Sequence, residues 1–360
     1  MRNLYITNSP ASYRVDLYNA LYSRFSCEVF FFADVPADSC MNEQEMQERF
    51  AFPPRHLEIR SLRGLKWGRG IGALLKLYTP EYVFVPEFSL LALQFLRYRK
   101  RYGFRLVSFC DDSVDMISGN DYSRFHRLAR KVLPKYLDQV VVTSRPVQQW
   151  YLSHFGKGLC FPIIVDDERL RERLVLALPH AEEIRSRYCL EKKKLVLFVG
   201  RLVGLKNVPR LIDAVARLED KDVRLVIIGN GVEATALKQK ASLLGLDVLF
   251  PGEQYGEDLL AWYQLADVHV IPSIQEAYGA VTGEALTAGC PVLVSRLAGS
   301  SALVIDGENG AVFDPFSVEE LRALLERFLR RTVAGRPLQM RPSLLPVRFK
   351  DCFDQLVNGL

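Results

Sequence analysis

Along most of the chain, short runs of β-branched and other apolar residues alternate with amphipathic segments of about 10–15 residues. This is the rhythm of a parallel sheet wrapped by helices. It is cleanest in the second half, where residues 195–199, 223–228, 248–250, 268–271 and 291–294 are apolar apart from Arg224 and His269, as strands covered on both faces should be. Between them, Leu211, Ile212, Val215 and Leu218 share one helical face of 208–218, and Leu321, Leu324, Leu325 and Phe328 share one face of 317–329. The first half repeats the rhythm, with strands expected at 4–7, 28–33, 82–85, 105–109 and 139–143. The charged stretch from Pro162 to Lys194 suits an exposed connector. After Pro337, Pro342 and Pro346, an amphipathic segment at 347–356 holds Phe349, Phe353 and Leu356. The pattern predicts an α/β protein with two facing Rossmann-like domains, at 1–178 and 190–335, and a C-terminal helix within 345–360 that crosses back to the first.

Length and composition fit that reading. The chain has 360 residues, 49% hydrophobic and 25% charged, enough for two cores of ordinary size. Its opening residues run straight into a strand pattern with no secretion leader. No apolar run reaches the roughly 18–20 residues of a membrane span. The seven cysteines are scattered and without paired metal-ligand spacing, so they read as reduced core residues of a cytoplasmic protein.

Charge adds one feature. The net charge is +5, and residues 1–165 hold 22 Lys and Arg against 15 Asp and Glu. Between Arg60 and Arg105 ten basic residues are mixed with Trp67, Tyr78, Tyr82, Phe95, Tyr98, Tyr102 and Phe104, a composition that docks on anionic lipid headgroups or forms ordinary solvated helix faces. No nucleic-acid-binding module accompanies the charge, so nucleic acid is not expected as a partner.

Two stretches carry candidate chemistry. In the first, a buried strand runs into Gly200-Arg201-Leu202 and then Lys206-Asn207, just before a helix beginning near Val208. Ligands of open α/β sheets bind at the carboxyl ends of strands, and two cations beside a helix N-terminus make a seat for a diphosphate. When a sugar leaves a nucleoside diphosphate, negative charge grows on the β-phosphate, so fixed cations help the transition state more than the ground state. In the second stretch, Glu276 falls in the loop after the 268–271 strand and Glu284 in the first turns of a helix starting near Gly279. Carboxylates there accept from sugar hydroxyls, while Gly279 and Gly283 allow backbone to approach a ligand closely. No Gly-x-Gly-x-x-Gly follows a first strand, and Gly229-Asn230-Gly231 is only a fragment of one, which argues against a nicotinamide-dependent oxidoreductase.

These motifs, in this order, resemble those of glycosyltransferase family 4, retaining enzymes of the two-domain B-type glycosyltransferase fold. Gly200-Arg201-Leu202 with Lys206 is similar to the family's diphosphate clamp, and the glutamate pair to its second hallmark. Smaller matches are Ile228-Gly229-Asn230-Gly231, Phe250-Pro251-Gly252 and Asp306-Gly307-Glu308-Asn309-Gly310. The resemblance is specific from about residue 195 to 329. It implies catalytic roles for Arg201, Lys206 and Glu276, with Glu276 on donor-sugar hydroxyls and Glu284 on the nucleotide ribose. Gly200, Asn207, Gly252 and the backbone of Ala277, Tyr278, Gly279, Val281 and Thr282 would complete the donor site. The donor would be a nucleotide-diphosphate sugar, used as substrate, with no cofactor and no metal ion.

The first domain resembles the family more loosely. Asn8-Ser9-Pro10 with Tyr13-Arg14 is similar to a pattern in members that build bacterial surface polysaccharides. This implies Ser9 near the donor phosphates, where the family's usual glycine pair is absent, and Tyr13 and Arg14 on the acceptor side. Many members place a His after a mid-domain strand, whereas here the strand leads into Cys110-Asp111-Asp112. Asp111 or Asp112 takes that place: Asp112 is the catalytic candidate and Asp111 the acceptor-side one. With Asp115 they otherwise read as loop or helix-cap residues rather than metal ligands. Ala302 stands where the family often carries Glu. The resemblance thus implies retaining transfer to a hydroxyl of a glycan or polyprenyl-linked acceptor, in capsule, O-antigen or exopolysaccharide biosynthesis, at the inner face of the plasma membrane. A non-catalytic sugar-nucleotide-binding protein and a nucleotide-sugar epimerase of related fold are the alternatives.

Overall fold

The computed structural model describes residues 2–33, 48–62, 65–112, 117 and 124–360. Its contacts divide the chain into two compact units, Met1–Val165 with Lys350–Leu360, and Asp166–Phe349.

The first unit is built on a parallel sheet of seven strands: β1 (Leu4–Thr7), β2 (Glu28–Phe31), β3 (Arg55–His56), β6 (Tyr82–Pro86), β7 (Arg105–Cys110), β8 (Gln139–Val142) and β9 (Leu159–Cys160), in the order 3-2-1-6-7-8-9. An antiparallel pair, β4 (Ile59–Leu62) and β5 (Leu65–Gly68), sits outside it. Helices α1 (Val15–Phe25), α2 (Ile71–Tyr78), α3 (Leu90–Tyr102), α4 (Arg124–Val132) and α5 (Arg145–Phe155) connect the strands. Because β1 and β6–β8 are covered by helices, their apolar runs bury Leu4, Ile6, Val83, Val85, Leu106 and Val140 together in one core. Phe95 and Phe104 are buried there, with Tyr98 and Tyr102 packed against it. Those aromatics therefore serve the core, which takes them out of the exposed lipid-docking mixture, one of the two readings of Arg60 to Arg105.

The second unit has six parallel strands, β10 (Lys194–Val199), β11 (Val223–Ile228), β12 (Val248–Gly252), β13 (Val268–Ile271), β14 (Val292–Ser295) and β15 (Gly310–Phe313), in the order 12-11-10-13-14-15. Its helices are α6 (Asp167–Leu176), α7 (Leu178–Arg187), α8 (Val208–Ala216), α9 (Ala234–Leu243), α10 (Gly256–Leu265), α11 (Val281–Thr287) and α12 (Val318–Leu329). In each unit the first strand has the second on one side and a later strand on the other, which is the Rossmann order with its switch point beside β1 and beside β10.

One expectation needs correction. The stretch expected as an exposed connector folds as α6 and α7, and it belongs to the second unit from Asp166 onward. Its charges fall outward while Leu170, Leu174, Ala181 and Ile184, at helical spacing, are buried, with Gln264 Nε2 donating to the Leu174 carbonyl at 2.9 Å. At the other end, α13 (Phe349–Gly359) lies within the 345–360 expected for the C-terminal helix, and residues 350–360 group with the first unit. Leu356 is buried, the Phe353 ring meets Phe161 edge-on at 6.5 Å, and Arg105 Nη1 donates to the Leu360 carbonyl at 2.6 Å.

Candidate functional site

Within the second unit, the turn that leaves β10 and the loop that leaves β13 lie side by side, because the two strands are neighbours across the switch point. The Ile274 amide donates to the Leu205 carbonyl at 2.9 Å. Asn207, held at φ 54° at the start of α8, donates from Nδ2 to the carbonyls of Pro272 (3.1 Å) and Pro315 (2.9 Å). Its side chain thus positions the loops, rather than being directed at a ligand. Lys206 Nζ forms an ion pair with Glu276 Oε2. The two sequence motifs, 70 residues apart, meet at these charged groups. Arg201 is exposed on the same turn.

The Glu276 loop is clamped from behind. Glu276 bridges to Ala298, the Gly299 amide donates to the Glu276 carbonyl at 3.2 Å, and the Ser300 amide donates to the Tyr278 carbonyl at 2.7 Å. Thr282 and Ser300 share a hydroxyl hydrogen bond of 2.7 Å, both side chains being buried. Gly279 turns the chain at φ 92°, a conformation that favours glycine, and Ala277 and Val281 flank it, half-buried. Glu284, on the first turn of α11, accepts from the Tyr263 hydroxyl at 3.0 Å. The Tyr263 ring meets His269 edge-on at 5.6 Å, and burial pushes that imidazole down to about 3, so it is neutral. Gly200 and Gly252 close the strand ends: the Gly200 amide donates to Ile228, and the Gly252 carbonyl accepts from Gly229. Ser300 and Tyr263 were not singled out from sequence. The small-residue run Gly299-Ser300-Ser301 was a signal for the first, and nothing local marked the second.

The switch point of the first unit carries a separate cleft of about 370 Å³, walled by the loop after β1, the turn before α1, and the ends of β6 and β7. Ser9, Tyr13, Arg14 and Asp111 all line it. Arg14 is almost buried and its Nη2 pairs with Asp111 Oδ1. Asp112, the catalytic candidate, is not among the residues that line this cleft. Its carboxylate is buried, with Oδ1 accepting from Arg130 Nη2 at 2.7 Å and Oδ2 from the Cys110 thiol at 2.9 Å. Of the two aspartates, which follow the end of β7, only Asp111 lines the cleft. Asp115 lies outside the described residues.

Glu87, at the carboxyl end of β6, lines the same cleft and was not expected there. Burial first, then the charges of Asp111 and Asp112, push its carboxyl up to about 7, against the opposing pull of Arg130 and Arg14. A charged residue closing an otherwise apolar strand was the available signal.

Comparison with known proteins fits this geometry. Residues 180–341 match the family model described as glycosyl transferases group 1. The chain is 32% identical over 151 residues to alpha-D-kanosaminyltransferase of Streptomyces kanamyceticus, covering 41% of this chain and 39% of that protein. It is 37% identical over 134 residues to D-inositol 3-phosphate glycosyltransferase of Corynebacterium glutamicum, covering 34% and 32%. The matched stretch thus spans well under half of these relatives' own lengths. The solved structure of HepE of Anabaena in complex with UDP matches with a TM-score of 0.74 at 18% identity, over 92% of this chain and 90% of that one. The chain therefore has the two-Rossmann-domain B-type fold, and residues 180–341 are similar to the group 1 glycosyl transferases.

Proposed function

We propose that the protein is a retaining glycosyltransferase of family 4 that takes its sugar from a nucleotide-diphosphate donor and passes it to a hydroxyl of a glycan or polyprenyl-linked acceptor in surface polysaccharide biosynthesis. The observation that carries the reading is the convergence of Lys206 and Glu276, from two loops at the switch point of the second unit, on one ion pair. The similar HepE of Anabaena is described in complex with UDP and with UDP-glucose, which supports a nucleotide-sugar donor here.

In this reading Arg201 and Lys206 hold the diphosphate, Glu276 receives donor-sugar hydroxyls, and Glu284 holds the ribose while Tyr263 fixes its orientation. The bond from the sugar's anomeric carbon to the β-phosphate oxygen breaks as negative charge gathers on that oxygen, and the two cations stabilise it. The acceptor oxygen bonds to the same face of the anomeric carbon, and its proton passes to the departing diphosphate. No metal ion or cofactor takes part. Each charge-assisted contact contributes about 1.5–3 kcal/mol.

Thermal stabilisation by a panel of UDP-, GDP- and ADP-sugars tests donor binding, because a ligand that binds only the folded state raises its stability. Product analysis separates the chemistry: transfer releases nucleoside diphosphate and a glycosylated acceptor, epimerisation an isomeric donor, and a binding protein neither. Lys206→Ala is expected to lower transfer at least about tenfold with an unchanged melting profile, and unaltered turnover would remove Lys206 from the clamp.

A membrane-borne acceptor also suits the surface of the first unit. Among the described residues, no helix is long and apolar enough to cross a membrane. Leu128, Val132 and Tyr136 are exposed at intervals of four, beside exposed Lys131 and Lys135, an apolar and basic stripe of the kind that rests on anionic lipid. Flotation with anionic liposomes at low salt is the expected outcome, and sedimentation without them would exclude this contact.

A further inference from the structure

We propose that the cleft of the first unit admits a polyhydroxylated ring bearing no anionic substituent, and that Glu87 is a specificity-determining residue that accepts hydrogen bonds from its hydroxyls. This rests on the reading that the first unit takes the acceptor.

The charge of the cleft decides the class. Its lining presents one guanidinium, Arg14, against two carboxyls, Glu87 and Asp111. Arg14, itself nearly buried, is already bound to Asp111, whose side chain is about one-third exposed, so a phosphate or carboxylate entering the cleft would have to compete with that carboxylate for the guanidinium and then face Glu87. The second cation nearby, Arg130, is paired with the buried Asp112 and adds no net charge. Arg14 therefore already has a carboxylate partner, and the cleft offers an incoming anion no unpaired cation among its lining residues. Hydroxyl groups meet no such obstacle, since carboxylates accept from them without rearrangement. Tyr5, Tyr18 and Phe109, whose rings pack at 5.4–5.5 Å, supply the apolar wall that the C–H face of a sugar ring requires.

Glu87 is held for this task by its backbone. It has φ 40°, in the left-handed region that non-glycine residues avoid. Two hydrogen bonds secure that conformation: its amide donates to the Phe109 carbonyl at 2.7 Å, and Ser108 Oγ donates to its carbonyl at 3.0 Å. Strain of this kind persists where the surroundings over-determine it, and it clusters at ligand sites. The groups that set the Glu87 charge are Arg14 before α1, Cys110, Asp111 and Asp112 at the end of β7, and Arg130 on α4.

Saturation-transfer NMR on the full chain tests the inference, with methyl glycosides of glucose, galactose and mannose as neutral probes and glucose 6-phosphate and inorganic phosphate as anionic competitors. At least one methyl glycoside is expected to receive saturation, more strongly as pH rises through about 7, and neither anion to displace it. Glu87→Gln should weaken that contact about tenfold and flatten its pH dependence. Asp111→Asn, which frees Arg14, should let phosphate compete. Displacement by either anion from the wild type, a contact indifferent to Glu87→Gln, or no glycoside contact at all would overturn the proposal. Thermal stabilisation by nucleotide sugars is scored on the same protein. Stabilisation without glycoside contact sinks this inference alone, and glycoside contact without stabilisation sinks the donor reading alone.

Discussion

At the scale of single residues, three carboxyls within one cleft region have different fates because of what surrounds each. Asp112 lies buried against Arg130, Asp111 is half-exposed against Arg14, and Glu87 has neither cation as a direct partner. The consequence for Glu87 is a proton bound more tightly in the folded chain than in the unfolded one. Its carboxyl, ordinarily near 4.5, rises to about 7, so its contribution to stability is full below about pH 4.5 and is lost as pH climbs through about 7. A shift of that size corresponds to roughly 3 kcal/mol. Glu87→Gln should therefore melt like the wild type at pH 4.5 and more stably at pH 8. Denaturant titrations at the two pH values measure this, and equal stabilities at pH 8 would mean that the carboxyl is not held in a protonating environment.

At the scale of elements, the site of the second unit depends on how closely the turn after β10 approaches the one after β11. Gly229 has φ +131°, and a Cβ there would lie 2.0 Å from the Gly200 carbonyl oxygen. That contact is backbone on backbone and has no flexible side chain to yield. Gly252 offers the contrast, with φ +82° but nothing within 4 Å of an added Cβ. Gly229→Ala is expected to cost at least about 2 kcal/mol and to abolish stabilisation by nucleotide sugars, since the displaced backbone begins the turn bearing Arg201 and Lys206. Gly252→Ala should cost only about 1–2 kcal/mol for the left-handed conformation. Chemical denaturation of both variants, with and without donor, checks the pair. If Gly229→Ala keeps its donor response, the close approach does not govern the clamp.

For the whole molecule, the last helix completes the core of a unit whose other residues all precede Asp166. Leu356 is 1% exposed, so Leu356→Ala should cost about 2–5 kcal/mol and lower the melting transition of that unit alone. Calorimetry showing both transitions shifted equally would contradict the division into units, because a two-unit chain need not unfold in one step. The apolar runs of β1, β6 and β10–β14, and the glycine, cation and glutamate motifs at the strand ends, were readable from the chain alone, because burial between helices and ligand-facing turns each impose a local pattern. Sequence also placed the helices facing the sheet at α8 and α12 to within two residues, since their apolar period is local. It misread 162–194 as a connector, because short helices with strongly charged outer faces carry few apolar positions per turn. Only the tertiary structure set Asp111 in the cleft and buried Asp112 against Arg130, joined Lys206 to Glu276, set Ser300 behind Tyr278, and raised Glu87. Each of those outcomes depends on which distant strand or loop lies alongside, a contact between residues far apart in the chain that leaves no periodic trace along it.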